Sequence, residues 1–407
     1  MELKPKILVV SYNIPRPDRS SGELRFVSIL EILSEFWQID FCVLPSHVEW
    51  NNADELKQYR DKLSEIGINV LPVKKNTFKN TFKKNYYSGG YFNLYWVAEE
   101  TMPLFRILQP QAFTIVDSVD VHYAREESQA QLGEIELSQV LQTKEKELGV
   151  YKTADVTIAV SKDDLHLLSV IEGVKNVFLI PNIVKIYPRN PGKRNPNVVF
   201  IGSYTWYPNP QAVKWFATCI WPKVINVIPN AEFLIIGSDP TEEINELEKL
   251  PGIKVIGYVA KTISYFETAA LSVAPMRVGG GMKGKVNEAM AHGVPVVATT
   301  IGAQGFEAIH GKQMMITDDI DEFADCVIKL LQDDELQHDI GMAGQKLNSA
   351  ICSHEAVKFK ITDVVNFCNQ VSPKVRNSNF WDSFKSKNNG ISNTTNYITE
   401  KINKINW

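Results

Sequence analysis

The sequence predicts an α/β protein made of two doubly wound, parallel-sheet domains that face a central cleft. Three observations carry that expectation. Short, continuous apolar runs recur along the chain and alternate with segments of helical period, the pattern of buried parallel strands joined by crossover helices. The alternation runs twice, before and after KIYPRNPGKRNP at 185–196, a proline-rich stretch without apolar period that reads as a linker. The chain's 407 residues are also enough for more than one domain.

In the first unit, residues 1–184, Lys6–Ser11 (KILVVS) is the opening strand. Phe26, Ile29, Leu30, Leu33 and Trp37 follow at the spacing of one helix face. DFCVLP, INVLPV, AFTIVD, DVTIAVS and NVFLIPN are the next strand candidates, and the longest helical pattern lies around 134–152. The second unit, 197–372, restarts with NVVFIG. Helical patterns near 209–218, 221–228 and 241–249 alternate with FLIIGS, IKVIG, LSVAP and PVVAT, and two helices near 319–332 and 334–350 close the unit. The remaining tail, 373–407, is polar, with Trp381, Phe384 and Trp407. Its composition allows either packing back on the first domain or disorder. Ligands bind outside the carboxyl ends of parallel strands, so the cleft between two such sheets is the expected active site.

The chain is 44% hydrophobic and 22% charged, with a formal net charge of −4. No global basic excess argues for nucleic acid, so any anion site must be local. The five cysteines are scattered, with no CxxC. That fits buried thiols in a reducing compartment better than disulfides or a zinc site. The N-terminus lacks the pattern of a signal peptide, and no apolar run reaches the roughly 18 residues of a membrane span. A cytoplasmic protein is expected.

The most informative stretch is GGGMKGKVNEAMAHGVPVVA, 279–298. LSVAP is a strand ending at Pro275, residues 276–283 form the loop at its carboxyl end, and a helix runs from near Gly284 to a cap at Gly293. Free N–H groups and the positive end of the helix dipole attract an anion there. Glycines let the backbone approach closely, and Lys283 and Lys285 add positive charge. Glu288, one turn on, is suited to accept hydrogen bonds from paired hydroxyls such as those of a ribose. Phosphate and ribose together mean a nucleotide. Neither GxGxxG nor GxxxxGK[ST] follows the first strand of either half, which argues against the dinucleotide and P-loop alternatives.

APMRVGGGMKGKVNEAMAHGVPVVATTIGAQGFE (274–307) resembles the nucleotide-sugar site of GT-B glycosyltransferases, specifically glycosyltransferase family 4, the group 1 glycosyltransferases. FIGSYTWYPNPQAVKWF, IPNAEFLIIGSDP and GIKVIGYVAKTISYFETAALSVAP are similar to the same branch, as are IVDSVDVHYAREES and KTADVTIAVSKDDLHLL in the first unit. The resemblance covers roughly 6–370 and is strongest in the second unit. It implies a retaining, metal-independent enzyme that moves a sugar from a nucleoside diphosphate to an acceptor hydroxyl, with the first domain binding acceptor and no cofactor beyond the donor. On that resemblance, Glu288 holds the ribose, and Lys283 and Lys285 neutralise the diphosphate. The backbone of Gly279, Gly280, Gly281 and Met282 faces phosphates and sugar. Gly257, Tyr258 and Val259 lie against the base, and Gly22 approaches the donor from the first domain. Asp120 and His122 both sit near the family's first-domain active position. One departure stands out. Many members carry two acids eight positions apart, and the first would fall on Gly280. Two other readings remain: an epimerase or hydrolase of the same fold, and a non-catalytic sugar-nucleotide-binding partner of another transferase.

Other features have blander readings beside the sharp ones. KKNTFKNTFKK (74–84) is either a basic amphipathic strip that touches an anionic membrane at its inner face, or a solvated loop. The aromatics of NYYSGGYFNLYWVAEE (85–100) stack on acceptor sugars or pack in the core, core being the main expectation. Asp-x-Asp in DDID (318–321) caps a helix rather than holding a metal. His292 is expected to interact with the helix end.

Overall fold

The computed structural model describes residues 4–47, 51, 53–74, 77–81, 85–189 and 194–371. Two sheets organise them. The first holds β1 (Lys6–Ser11), β2 (Gln38–Val43), β3 (Asn69–Val70), β4 (Gly89–Asn93), β5 (Phe113–Asp117), β6 (Val156–Ala159) and β7 (Val177–Leu179) in the order 3-2-1-4-5-6-7. The second holds β8 (Asn195–Ile201), β9 (Glu232–Ile236), β10 (Ile253–Gly257), β11 (Ala269–Ala274), β12 (Val296–Ala298) and β13 (Met315–Ile316) in the order 10-9-8-11-12-13. Every strand pair is parallel, for example Val10 beside Phe92 and Leu271 beside Val198. In each sheet the order reverses at one place, between β1 and β4 and between β8 and β11. These are the topological switch points, where crossover helices diverge and leave a crevice.

Strand β4 escapes the sequence reading, although its aromatics Tyr91 and Phe92 are core, as expected of them. Its two glycines have weak strand preference, but packing requires them. A Cβ on Gly89 would fall 2.1 Å from the Phe113 ring, and one on Gly90 would fall 2.9 Å from Phe105. The expected strand INVLPV shrinks to two residues, Asn69–Val70.

Five helices shape the cleft: α1 (Ser21–Ser34), α2 (Tyr95–Leu108), α3 (His122–Gln131), α4 (Leu137–Tyr151) and α5 (Gly284–Ala291). A sixth, α6 (His354–Gln370), corrects the expected division at 372. Its Val357, Ile361, Val364 and Val365 join Phe26, Ile29 and Leu33 of α1 in the core of the first sheet, and Lys358 pairs with Glu35 at 2.6 Å. The chain thus returns to the first unit at 354–370, ahead of the tail 373–407, which lies outside the described residues.

The linker lies against the second unit: Tyr187 N–H donates to Ala291 O at 3.0 Å and Arg189 to His338 O at 2.8 Å. Residues 190–193 of it lie outside the described residues, as do 75–76 and 82–84 of the lysine-rich strip. Within that strip Phe78 is buried in the first core, so it does not belong to an exposed apolar face. None of the five cysteines is joined in a disulfide, and all but Cys219 are buried. Among the described residues no helix is long and apolar enough to cross a membrane.

Candidate functional site

The second-unit half of the site forms where β11 ends at its switch point. The loop to α5 needs glycine at two positions, Gly279 with φ 152 and Gly281 with φ 61. Lys283 is the N-cap of α5 and is only 7% exposed. Its ammonium donates to Gly281 O at 2.8 Å, Gly280 O at 3.1 Å and Gln304 Oε1 at 3.2 Å, tying the loop's carbonyls together. Burial pushes it down to about 8, against the opposing pull of Asp164, Asp120 and Asp163. Lys285 diverges into the second unit. It donates to Asn209 Oδ1 at 2.9 Å and lies 4.9 Å above the Phe200 ring. Burial, followed by the charge of Lys283, pushes it down to about 7. Met282 turns its thioether towards Cys352 in the core, so only its backbone stays at the cleft. Glu288 accepts a hydrogen bond from Thr262, which places it against the segment that begins Gly257–Tyr258–Val259. Burial raises its carboxyl above the usual range, and Thr262 opposes that shift. Gly257 itself takes φ 73 as the chain leaves β10.

The first-unit half sits at the carboxyl ends of β1, β4 and β5. Ser20 caps α1 by accepting from Glu23 N–H at 3.1 Å, which sets Gly22 in the first helical turn. Val119, after β5, takes φ 63, a left-handed conformation rare for a β-branched residue. Strain of this kind, about 1–3 kcal/mol, persists where surroundings over-determine it. Here Asp117 Oδ1 receives the Val119 N–H at 3.2 Å, and Ser118 N–H donates to Ile158 O at 3.1 Å. The turn delivers Asp120 and His122. Asp120 pairs with Arg125 and lies 3.4 Å from His122 Nδ1. Burial alone would raise the Asp120 carboxyl, but His122, Arg125 and Lys283 hold it below the usual range. His122 moves up: burial opposes the imidazolium, and Asp120 and Glu147 outweigh it. Fully buried Glu147 of α4 caps α3 by accepting from His122 N–H and Tyr123 N–H, both at 3.0 Å.

The two halves meet. A Cβ on Gly280 would stand 3.6 Å from Asp120 Oδ2, and one on Gly281 would stand 3.3 Å from Asp120 Cβ. The position where the family pattern would place an acid therefore lies beside the first unit's own carboxylate. Asn182 donates to Met282 O at 3.2 Å and Gly279 N–H to Ser128 Oγ at 3.4 Å. Arg19 lies 4.5 Å from the Tyr258 ring, and Arg125 lies 4.7 Å from that of Trp206. The N-termini of α1 and α5 approach so closely that a Cβ on Gly284 would overlap Ser21 Cβ at 2.2 Å. Gly284→Ala should therefore force the units apart and raise donor KM several-fold. Ser21→Gly in the same chain should restore it. Unchanged KM in the single variant, or no restoration in the double, would show that this approach does not matter.

The structure sets Asp120 against Gly280 and Gly281 and the first turn of α1, with Gly22, against the N-terminus of α5, whereas the side chains of Lys285 and Met282 turn into the second unit and Val259 packs on its core. It adds several that no motif announced: Thr262, Asn209, Asn182, Arg125 and Asp164, whose buried carboxyl is pushed up to about 6 by burial. Proximity in space singles them out: Thr262 meets Glu288 and Asn209 meets Lys285 within the second unit, Arg125 meets Asp120 within the first, and Asn182 reaches Met282 across the two. The blander readings fare differently. Asp319 caps its helix by accepting from Asp321 and Glu322 N–H, as expected. His292 meets the helix end as expected, as the C-cap of α5 whose backbone N–H donates to Glu288 O at 3.2 Å and Ala289 O at 3.1 Å, but through its backbone rather than as a cation. Its ring stacks on Tyr187 at 4.2 Å and Phe266 at 5.1 Å, and burial pushes it down to about 4.

Residues 195–333 match a family model described as glycosyl transferases group 1. The likeness expected from the glycine loop is therefore borne out on the second domain. An uncharacterized 44.6 kDa protein of the cps region of Klebsiella pneumoniae is 28% identical over 185 residues, 43% of this chain and 46% of that protein, so the match spans about half of either. Sucrose-phosphate synthase of Thermosynechococcus elongatus superposes with a TM-score of 0.67 at 18% identity, over 89% of this chain and 98% of its own. HepE of Anabaena, solved with UDP and glucose, gives 0.64 at 15% identity, over 89% and 99%. Staphylococcus aureus TarM, solved with UDP and sugar ligands, gives 0.57 at 17% identity, over 72% and 58%. The fold is GT-B, two Rossmann-like domains around a cleft.

Proposed function

We propose that this protein is a retaining, metal-independent glycosyltransferase that moves a sugar from a nucleoside diphosphate to an acceptor hydroxyl. One observation carries the reading. Two lysines flank the N-terminus of α5, Glu288 follows one turn on beside Thr262, and Asp120 and His122 close the same space from the first unit. The first-turn N–H groups of a helix have no intrahelical acceptor. With two ammonium groups they stabilise the charge that develops on a departing diphosphate. Glu288 accepts from the ribose hydroxyls, and Asp120 and the imidazolium of His122 face the transferred sugar. HepE and TarM were solved with UDP, so uridine donors come first in a trial.

The test is a thermal-shift panel of sugar nucleotides followed by titration of UDP and 2′-deoxy-UDP. A true donor raises the melting point by mass action. Removing the 2′-hydroxyl should weaken binding to the native chain by about 1–3 kcal/mol, and Glu288→Ala should erase that difference. No stabilisation by any sugar nucleotide, or equal discrimination by Glu288→Ala, would count against the reading. Donor consumption without acceptor would mark a hydrolase or epimerase instead. Binding without turnover would mark a non-catalytic partner.

A further inference from the structure

We propose that an aromatic platform at the carboxyl edge of β1, β2 and β4 is the acceptor subsite, and that it takes a neutral pyranoside ring. The inference rests on the transferase reading above and deepens it. Tyr12 follows β1, His47 lies just beyond β2, and Tyr95 and Trp96 open α2 after β4; all four side chains are half-buried. Trp96 lies 5.0 Å from Tyr12 and 6.0 Å from His47, and Tyr95 meets the His122 ring edge-on at 5.1 Å. The platform is therefore continuous with the place where the sugar would be transferred.

Tyr12, Leu94, Tyr95 and Trp96 pack their inner sides on the core of the first unit, and two further observations concern the edge they leave half-buried. Leu94, which turns the chain from β4 into α2, takes φ 82 and ψ 146, a conformation left almost wholly to glycine. That strained turn delivers Tyr95 and Trp96, as strained Val119 delivers Asp120 and His122. Beside it, Asn93 is 6% exposed and its Oδ1 has no hydrogen-bond partner among the described residues. An orphaned buried acceptor costs free energy unless a ligand donates to it, and a sugar hydroxyl is such a donor.

Charge decides the ligand class. Glu99 and Glu100 are exposed on α2, whereas the nearby cations are engaged, Arg16 by Glu23 and Arg125 by Asp120. The acids also dominate around Tyr95, where burial and then Glu147, Glu126 and Glu99 push the phenol up to about 12. A phosphate-bearing lipid headgroup or an acidic sugar would be repelled. A neutral pyranose offers C–H faces to Trp96 and hydroxyls to the carboxylates.

Saturation-transfer difference NMR tests this on the full chain with UDP present. The probes are methyl glucoside, galactoside, mannoside and N-acetylglucosaminide, set against methyl glucuronide and phosphatidylglycerol vesicles. At least one neutral glycoside should bind. Trp96→Ala should weaken it roughly tenfold or more, Trp96→Phe should hold it within about threefold, and UDP should bind all three chains alike. Should the alanine variant lose UDP, Trp96→Leu takes its place. With UDP bound, failure of every neutral glycoside overturns the proposal, as does full binding by the ring-less variant or binding confined to the anionic probes. Loss of UDP from the native chain would instead overturn the parent transferase reading.

Discussion

Lys285→Ala should lower kcat/KM for sugar transfer by roughly 10²–10³, the loss seen when one preorganised donor is taken from a developing anion. Among the described residues no carboxylate contacts Lys285: its ammonium meets Asn209 Oδ1, the Met276 thioether and the Phe200 ring. A cation kept without an anionic partner is costly unless something else supplies the negative charge. A bound diphosphate would supply it. Lys285→Arg should rescue poorly, because the larger planar fork of a guanidinium does not fit where a compact ammonium meets Asn209 Oδ1 and the Met276 thioether.

The same geometry fixes a pH dependence. Lys285 is pushed down to about 7 and Lys283 to about 8, below the ordinary lysine value of 10.5. For a lysine depressed on folding, the unfolded chain binds more protons between the two values, so stability of the free enzyme rises with pH across that window. Binding has the opposite sign. A diphosphate favours the charged lysines, so UDP should bind with proton uptake and its affinity should fall as pH climbs through 7 and 8. Calorimetry in buffers of different ionisation enthalpy reads the uptake directly. Identical heats and a flat affinity across that range would rule out these lysines as the diphosphate cations.

Much of this site is legible in the sequence because its parts are local. GGGMKGKVNE places the glycines, both lysines and Glu288 within about two turns, and the strand before and the cap after fix which end of the helix faces the cleft. The alternation of apolar runs likewise reveals two sheets. What the sequence conceals is non-local. Strand β4 reads as aromatic core because Gly89 and Gly90 weaken the strand signal, and the reason they are there, Phe113 and Phe105 against the backbone, lies some fifteen to twenty-five residues away. Helix α6 carries an apolar face of ordinary period, and nothing in that period says which of two cores it joins. Thr262, Asn182 and Asn209 are single polar residues that acquire meaning only when the folded chain brings distant segments together, the first and last within the second unit and Asn182 across the two.

Asp117→Ala should destabilise the protein by about 3–5 kcal/mol, because it strands a buried cation. Arg25 is 1% exposed, and among the described residues its carboxylate contact is Asp117 at 2.7 Å; it also donates to Ile180 O at 2.8 and 3.2 Å. The same Asp117 oxygen accepts from Tyr91 OH at 2.5 Å, and its partner oxygen holds Val119 N–H. One carboxylate thus joins α1, β4 and the strained turn that carries Asp120. Two consequences should separate in experiment. Urea unfolding should report the lost stability, and a loss below about 1 kcal/mol would mean the pair is solvated or replaceable. Arg25→Met with Asp117→Leu should recover stability, since an apolar pair can replace a buried ion pair at little cost. It should not recover transfer, because the turn still lacks the acceptor that holds Val119. If the apolar double variant restores both, then Asp117 serves the core alone, and the strained turn keeps its shape without it.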